Sequence, residues 1–226
     1  MHADPYRKAA GRGRARSLAI ALSLTLGGCG GAPADATLPA DRSESAALCY
    51  GATMALAKER IGSGSVPVDD AGQALHFALL GGSPDGLGDP AKFEQIASRG
   101  ATLQHKFVAD KNAASYTAPC AKAFPETQAG AFKALPPDVR DTRIMCYTLS
   151  TVLLQIFAQS EIAPDPRAAT YVKLNGALER LVNSEVYPAE DDEHVGEIAM
   201  RALAKAVRLG PPIAVLNACS DRYLKR

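Results

Sequence analysis

The chain has 226 residues, with 25 Lys and Arg against 24 Asp and Glu, a formal net charge of +1. That balance provides no basic surface for nucleic acid or an acidic membrane. Trp is absent and aromatic residues make up 6% of the chain, so a core must be aliphatic and alanine-rich, which suits close helix packing.

The first segment is unlike the rest. Arg7, Lys8, Arg12, Arg14 and Arg16 precede an apolar run from Ser17 to Leu26. The run is far shorter than the roughly 20 residues that span a bilayer, and basic leader followed by apolar run is the order of an export signal. It ends in Leu26-Gly27-Gly28-Cys29. This step resembles the lipobox of bacterial lipoproteins, in which the cysteine is acylated and becomes the new N-terminus. The resemblance covers only the signal peptide, residues 1–28, and implies a palmitate-type acyl anchor on Cys29. Each buried methylene contributes about 0.8 kcal/mol, so two or more chains hold a protein on a membrane that one would not. Gly30 stands where lipoproteins retained in the inner membrane of enteric-type bacteria often carry Asp, which implies the outer membrane in preference to the inner. The competing reading is cleavage by an ordinary signal peptidase after Ala32-Pro33-Ala34, giving a soluble periplasmic or secreted protein.

Removing the five Lys/Arg and Asp4 that precede Cys29 leaves 198 residues with 20 basic and 23 acidic side chains, a net charge of −3. A chain of that length buries about 70% of its unfolded surface. Of the five cysteines, Cys29 leaves the count under either reading of the signal. Cys49, Cys120, Cys146 and Cys219 remain, and an even set in an exported chain reads as disulfides.

Residues 29–43, rich in Ala, Pro and Gly, read as a flexible tether. From there the chain states one pattern twice. Leu38-Pro39, Asp41, Glu44 and Cys49-Tyr50 return as Leu135-Pro136, Asp138, Asp141 and Cys146-Tyr147, all displaced by 97 residues. In each copy the aspartate and the acid three residues later match a helix N-cap and its N3 position. The first copy, 44–124, predicts helices over Ser45–Arg60, Ala71–Leu80 (with Val68-Asp69-Asp70 as its cap), Pro90–Lys111 (opened by Asp89-Pro90) and Ala114–Phe124. A linker, 125–137, follows. The second copy, 138–226, predicts a strongly apolar helix over Asp141–Gln159, read as a buried central helix. Further helices are expected from Asp165-Pro166 to Val182, from the acidic cluster Glu190–Glu193 to Leu209, and after Pro211-Pro212. The expectation is an all-α protein of two tandem four-helix modules, each stapled by one disulfide. Four cysteines allow three pairings. The symmetric one joins Cys49 to Cys120 and Cys146 to Cys219, closing spans of 71 and 73 residues.

Few residues suggest chemistry. On a helix, Glu190, His194 and Glu197 share a face, a conceivable metal site or acid–base pair, although acids also collect at a helix N-terminus because the macrodipole favours them. His76 and His105 fall on different helices and are expected at the core edge or surface. Tyr50 and Tyr147 are expected to pack beside the disulfides. Arg99 and Arg201 recur in both copies and are candidates to cap a carbonyl or bind an anion. The Gly81–Asp89 stretch lacks the lysine of a P-loop and the spacing of an EF-hand, and no Gly-x-Ser-x-Gly elbow is present. The resulting expectation is a non-catalytic envelope lipoprotein, tethered to the membrane and facing the periplasm, that binds another envelope protein and needs no cofactor and no nucleic acid. A periplasmic inhibitor or immunity-type protein is the alternative within that class. A metal-dependent cell-envelope hydrolase using His194 is the alternative outside it.

Overall fold

A computed structural model describes residues 36–159, 161–185 and 192–225. The expected signal segment, Cys29 and Glu190 lie outside the described residues. The described chain is all-helical, with eight α-helices: α1 (Arg42–Ile61), α2 (Val68–Gly81), α3 (Pro90–Asp110), α4 (Thr117–Ala123), α5 (Val139–Phe157), α6 (Arg167–Glu185), α7 (Asp192–Leu209) and α8 (Pro212–Leu224). No helix among the described residues is long and apolar enough to cross a membrane.

Local chemistry explains where the helices start. Asp41 accepts a hydrogen bond from the Glu44 amide at 2.8 Å, and Asp138 accepts one from the Asp141 amide at 2.7 Å. One turn inside each helix a hydroxyl reaches back to the preceding proline: Ser45 donates to the Pro39 carbonyl at 2.7 Å and Thr142 to the Pro136 carbonyl at 2.9 Å. The aspartates satisfy amides that a helix N-terminus leaves open, and the hydroxyls tie the entering chain back onto the first turn. Asp89 caps α3 as expected, accepting from the Ala91 and Lys92 amides.

Two expected boundaries move. α2 begins at Val68 with Pro67 at its N-cap and no side-chain cap bond, so Asp69 and Asp70 sit in its first turn, where the macrodipole favours them. The fourth expected helix divides into a 3-10 turn, Ala113–Tyr116, and the short α4. Ahead of α1 the Ala36 amide donates to the Ser115 carbonyl at 2.9 Å, and Leu38 packs against the core.

Two disulfides join Cys49 to Cys120 and Cys146 to Cys219. Each ties the first helix of its half to the last. α1 packs against α2 and α3, while α5 packs against α6, α7 and α8. The helix buried on nearly every side is α2, not α5. Eleven residues of α2 are buried, against eight of the longer α5. α2 contacts α1 and α3 in its own half and α5, α7 and α8 in the other, so a single apolar cluster runs from Ala46 and Leu79 to Leu149, Val207 and Leu216. Loops of the two halves also pair. The Val66 amide donates to the Glu161 carbonyl and the Ala163 amide to the Val66 carbonyl, both at 2.8 Å.

His76 belongs to this hub and corrects the expectation of an edge position. Its side chain is 0% exposed, and Nε2 donates to the Val207 carbonyl of α7 at 2.6 Å. Glycine sets other approaches. A Cβ on Gly51 would lie 2.7 Å from the Gly100 carbonyl oxygen, and one on Gly100 would lie 2.5 Å from Tyr50 Cδ1. α1 and α3 therefore meet backbone to backbone beside a half-buried Tyr50. Gly51→Val is expected to cost about 1–3 kcal/mol, because backbone cannot move aside as a side chain can. Urea denaturation measures it, and an unchanged midpoint would contradict so close a crossing.

Candidate functional site

Around the exposed strip of α2 the surface opens into a cleft. α2 shows Asp69, Asp70 and Gln73 and hides most of the rest. On one side, a cavity of about 180 Å3 lies between α1, α2 and α4, with the Cys49–Cys120 disulfide in its wall. On the other, a cavity of about 590 Å3 lies between α2, α8 and the stretch Thr127–Gly130. Gln73 and Gln128 line both, so the two cavities form one groove along α2, crossed at those amide side chains.

Charge in the groove is already paired. Arg167 binds Asp165 through Nε at 2.9 Å and through a terminal nitrogen at 2.6 Å, and reaches Asp69 of α2 at 2.7 Å. The hydrogen bonds from Arg167 hold the Asp165 carboxyl below its usual range. The bonds to Asp165 and Asp69 push the guanidinium further up. At the other end Arg60 pairs with Asp70. One guanidinium between two carboxylates leaves the Arg167 cluster with a net charge of −1, and Asp69 is 68% exposed. Such a surface repels anions and favours neutral or basic groups.

The remaining polar groups are amides. Tyr171, wholly buried, donates its hydroxyl to Asn217 Oδ1 at 2.8 Å. Burial pushes the Tyr171 phenol up to about 12, so it stays protonated and stays a donor. The Asn217 amide is thereby oriented, with Nδ2 left to donate outward. Gln73, Gln128 and Asn217 are all exposed. Beside them Gln128 is extended and Gly130 has φ 86°. Among the described residues the peptide groups of Ala129 and Gly130 make no backbone hydrogen bond.

The candidates read from sequence fall elsewhere. His194 and Glu197 are exposed on α7; Glu197 is bonded to Arg201, while Glu190 lies outside the described residues. Among the described residues no three His, Cys, Asp or Glu side chains gather as a metal-holding group. Arg99 lies 3.7 Å from Glu44, and Arg201 pairs with Glu197 one turn away on its own helix. In the second half it is Lys205 that reaches the acid of the first helix, Asp141, at 2.7 Å. Arg99 and Arg201 each line a shallow groove against the start of the first helix of their half. Their exposed ion pairs are worth at most about 1 kcal/mol. Cys29 lies outside the described residues.

The groove residues were missed because each looks ordinary alone. Asp69 reads as helix-start chemistry, Gln128 and Gly130 as linker, Asn217 as helix surface. A signal was present in Asp165-Pro166-Arg167, where an arginine two residues after a capping aspartate folds back on it, but nothing in the sequence points it at Asp69. Comparison with known proteins adds no precedent: no protein-family model, no curated protein and no solved structure matches this chain.

Proposed function

We propose that the chain is a non-catalytic envelope lipoprotein, a helical protein-binding domain anchored through an acylated Cys29 and facing the periplasm, at the outer membrane in preference to the inner. The observation that carries this reading is the pair of disulfides. Such bonds persist in oxidising compartments, which agrees with an export signal, and they leave Cys29 of the lipobox-like step as the one cysteine without a disulfide role. The groove along α2 supplies a surface for a partner. We further propose that 44–124 and 138–226 are copies of one helical module with 125–137 between them. The matched aspartate caps, hydroxyl-to-proline bonds and disulfides support this, all falling at equivalent places in the two halves.

Cys29→Ala is expected to move the protein from the membrane fraction to the soluble one, since the acyl chains supply the partition energy. Fractionation of cells expressing each form measures it. A variant that still sediments with membranes after a high-salt wash would overturn the anchor. Photo-crosslinking in intact cells addresses the partner, and failure to recover any reproducible adduct would count against a binding role.

A further inference from the structure

We infer that the groove along α2 binds an extended, uncharged-to-basic segment of a partner protein through that segment's main chain. The inference rests on the binding-protein reading above and names the chemistry of the partner.

Three features of the groove point the same way. The first is its shape: two cavities of about 180 and 590 Å3, both open to solvent, adjoin at Gln73 and Gln128, where a compact ligand would need a closed pocket. The second is the kind of polar group it presents. Carboxamides carry a donor and an acceptor side by side, which is the pattern a peptide group presents in return. Gln73 and Gln128 stand at the middle of the groove, and Asn217, its oxygen occupied by the Tyr171 hydroxyl, offers its amide hydrogens further along. Beside them Ala129 and Gly130 form the corner of a turn closed by the Ala131 amide donating to the Gln128 carbonyl at 3.0 Å, and their own peptide groups have no backbone partner among the described residues. Bonds from these amide and peptide groups to an incoming main chain supply affinity, and the neighbouring cavities receive its side chains.

The third feature is charge. Arg167 is held by Asp165 and Asp69, and Arg60 by Asp70. Arg167 spends all three of its side-chain nitrogens on Asp165 and Asp69 and Arg60 is neutralised by Asp70, whereas the exposed Asp69 carboxylate has room for a Lys or Arg of the bound segment. An acidic peptide, a phosphorylated ligand or an anionic headgroup is disfavoured on the same ground. A glycan strand would find the amides equally useful, but recognition of sugar rings draws on exposed aromatic faces. The cleft is lined by little of that kind beyond Tyr116 and Phe77, and Phe77 is 2% exposed.

The test uses the full mature chain with both disulfides intact. A phage library of random linear 12-residue peptides is panned against it, and the enriched sequence is synthesised with a fluorophore for anisotropy titration. The expected result is a convergent set free of Asp and Glu at its centre. Its affinity should fall tenfold or more on combining Gln73→Ala with Asn217→Ala, and stay within twofold for His105→Ala on α3. Methylating alternate backbone nitrogens of the peptide should weaken it by a similar factor, which side-chain recognition alone would not produce. Circular dichroism of the variants excludes unfolding as the cause. The inference is overturned if no sequence is enriched above an unrelated protein, if binding ignores the groove substitutions or the backbone methylation, or if chitotetraose displaces the peptide at equal or lower concentration. If a partner crosslinks in cells only from positions outside the groove, the inference fails and the envelope-binding reading stands. If no partner crosslinks from any position, that reading fails as well.

Discussion

Removing the Cys146–Cys219 bridge as Cys146→Ser with Cys219→Ser is expected to destabilise the protein by about 4 kcal/mol, and removing Cys49–Cys120 in the same way should cost as much. The bonds close spans of 73 and 71 residues, and in the chain-entropy model a loop that long costs the unfolded ensemble roughly that much freedom. Losing both approaches the whole stability of a typical domain, about 5–15 kcal/mol. Because a single apolar cluster contains residues from both halves, each bridge is expected to shift one common unfolding transition. Guanidinium denaturation of the two double-serine variants, followed by circular dichroism, measures both effects. A loss under about 1 kcal/mol for either pair would mean that the unfolded chain stays compact without the bridge. Two resolved transitions would mean that the halves unfold separately despite the shared core.

Acidification should weaken the fold through His76. In the unfolded chain the imidazole takes up a proton near pH 6.5; in the folded protein burial holds that step down to about 4. Two weaker influences, the bond to the Val207 carbonyl and the nearby Glu126 carboxylate, oppose the shift without reversing it. Between those values the unfolded chain binds one more proton than the folded one, so stability is full above pH 6.5 and declines as pH falls towards 4. At about 1.4 kcal/mol per pH unit, that window removes about 3 kcal/mol. His76→Gln tests the assignment, since its amide can still donate to Val207 but does not titrate. The variant should lose about 3 kcal/mol less than the wild type between pH 7 and pH 4. Parallel losses would show that other groups, not His76, set the acid sensitivity. The effect bears on architecture because the His76–Val207 bond links α2 to α7, across the two halves.

These two predictions differ in how far each was legible beforehand. The bridges follow from cysteine identity and a repeated spacing, and the structure pairs the cysteines in the symmetric way. His76 offered no such sign. An isolated histidine on an apolar helix is compatible with core, edge or surface, and only the carbonyl of Val207, 131 positions away, makes full burial tolerable. α5 was expected to be central because its run from Ile144 to Gln159 carries no charge, yet α2 is the more enclosed. From Ala71 to Gly81 α2 is uncharged too and is on average the more apolar of the two, so composition permits burial of both, and enclosure depends on how many neighbours reach each. α2 is short, small-residued and reached by helices of both halves, with Gly72 allowing Ile213 and Gly81 allowing Ala46 to come close.

What the sequence determined by itself is the part of the protein governed by near neighbours or by a residue's chemical identity. Asp41, Asp89 and Asp138 start helices because a carboxylate reaches amides two or three residues ahead, and the four cysteines from Cys49 onward form two disulfides. All of that is decided within a few residues, or by side-chain chemistry. Tertiary structure alone decided that α2 is the hub, that His76 is sealed beneath α7, and that Gln73, Gln128 and Asn217 line one groove. Each of those facts is a contact between positions far apart in the chain. Their distances are set by how eight helices share one core, and that is a property of the packing as a whole.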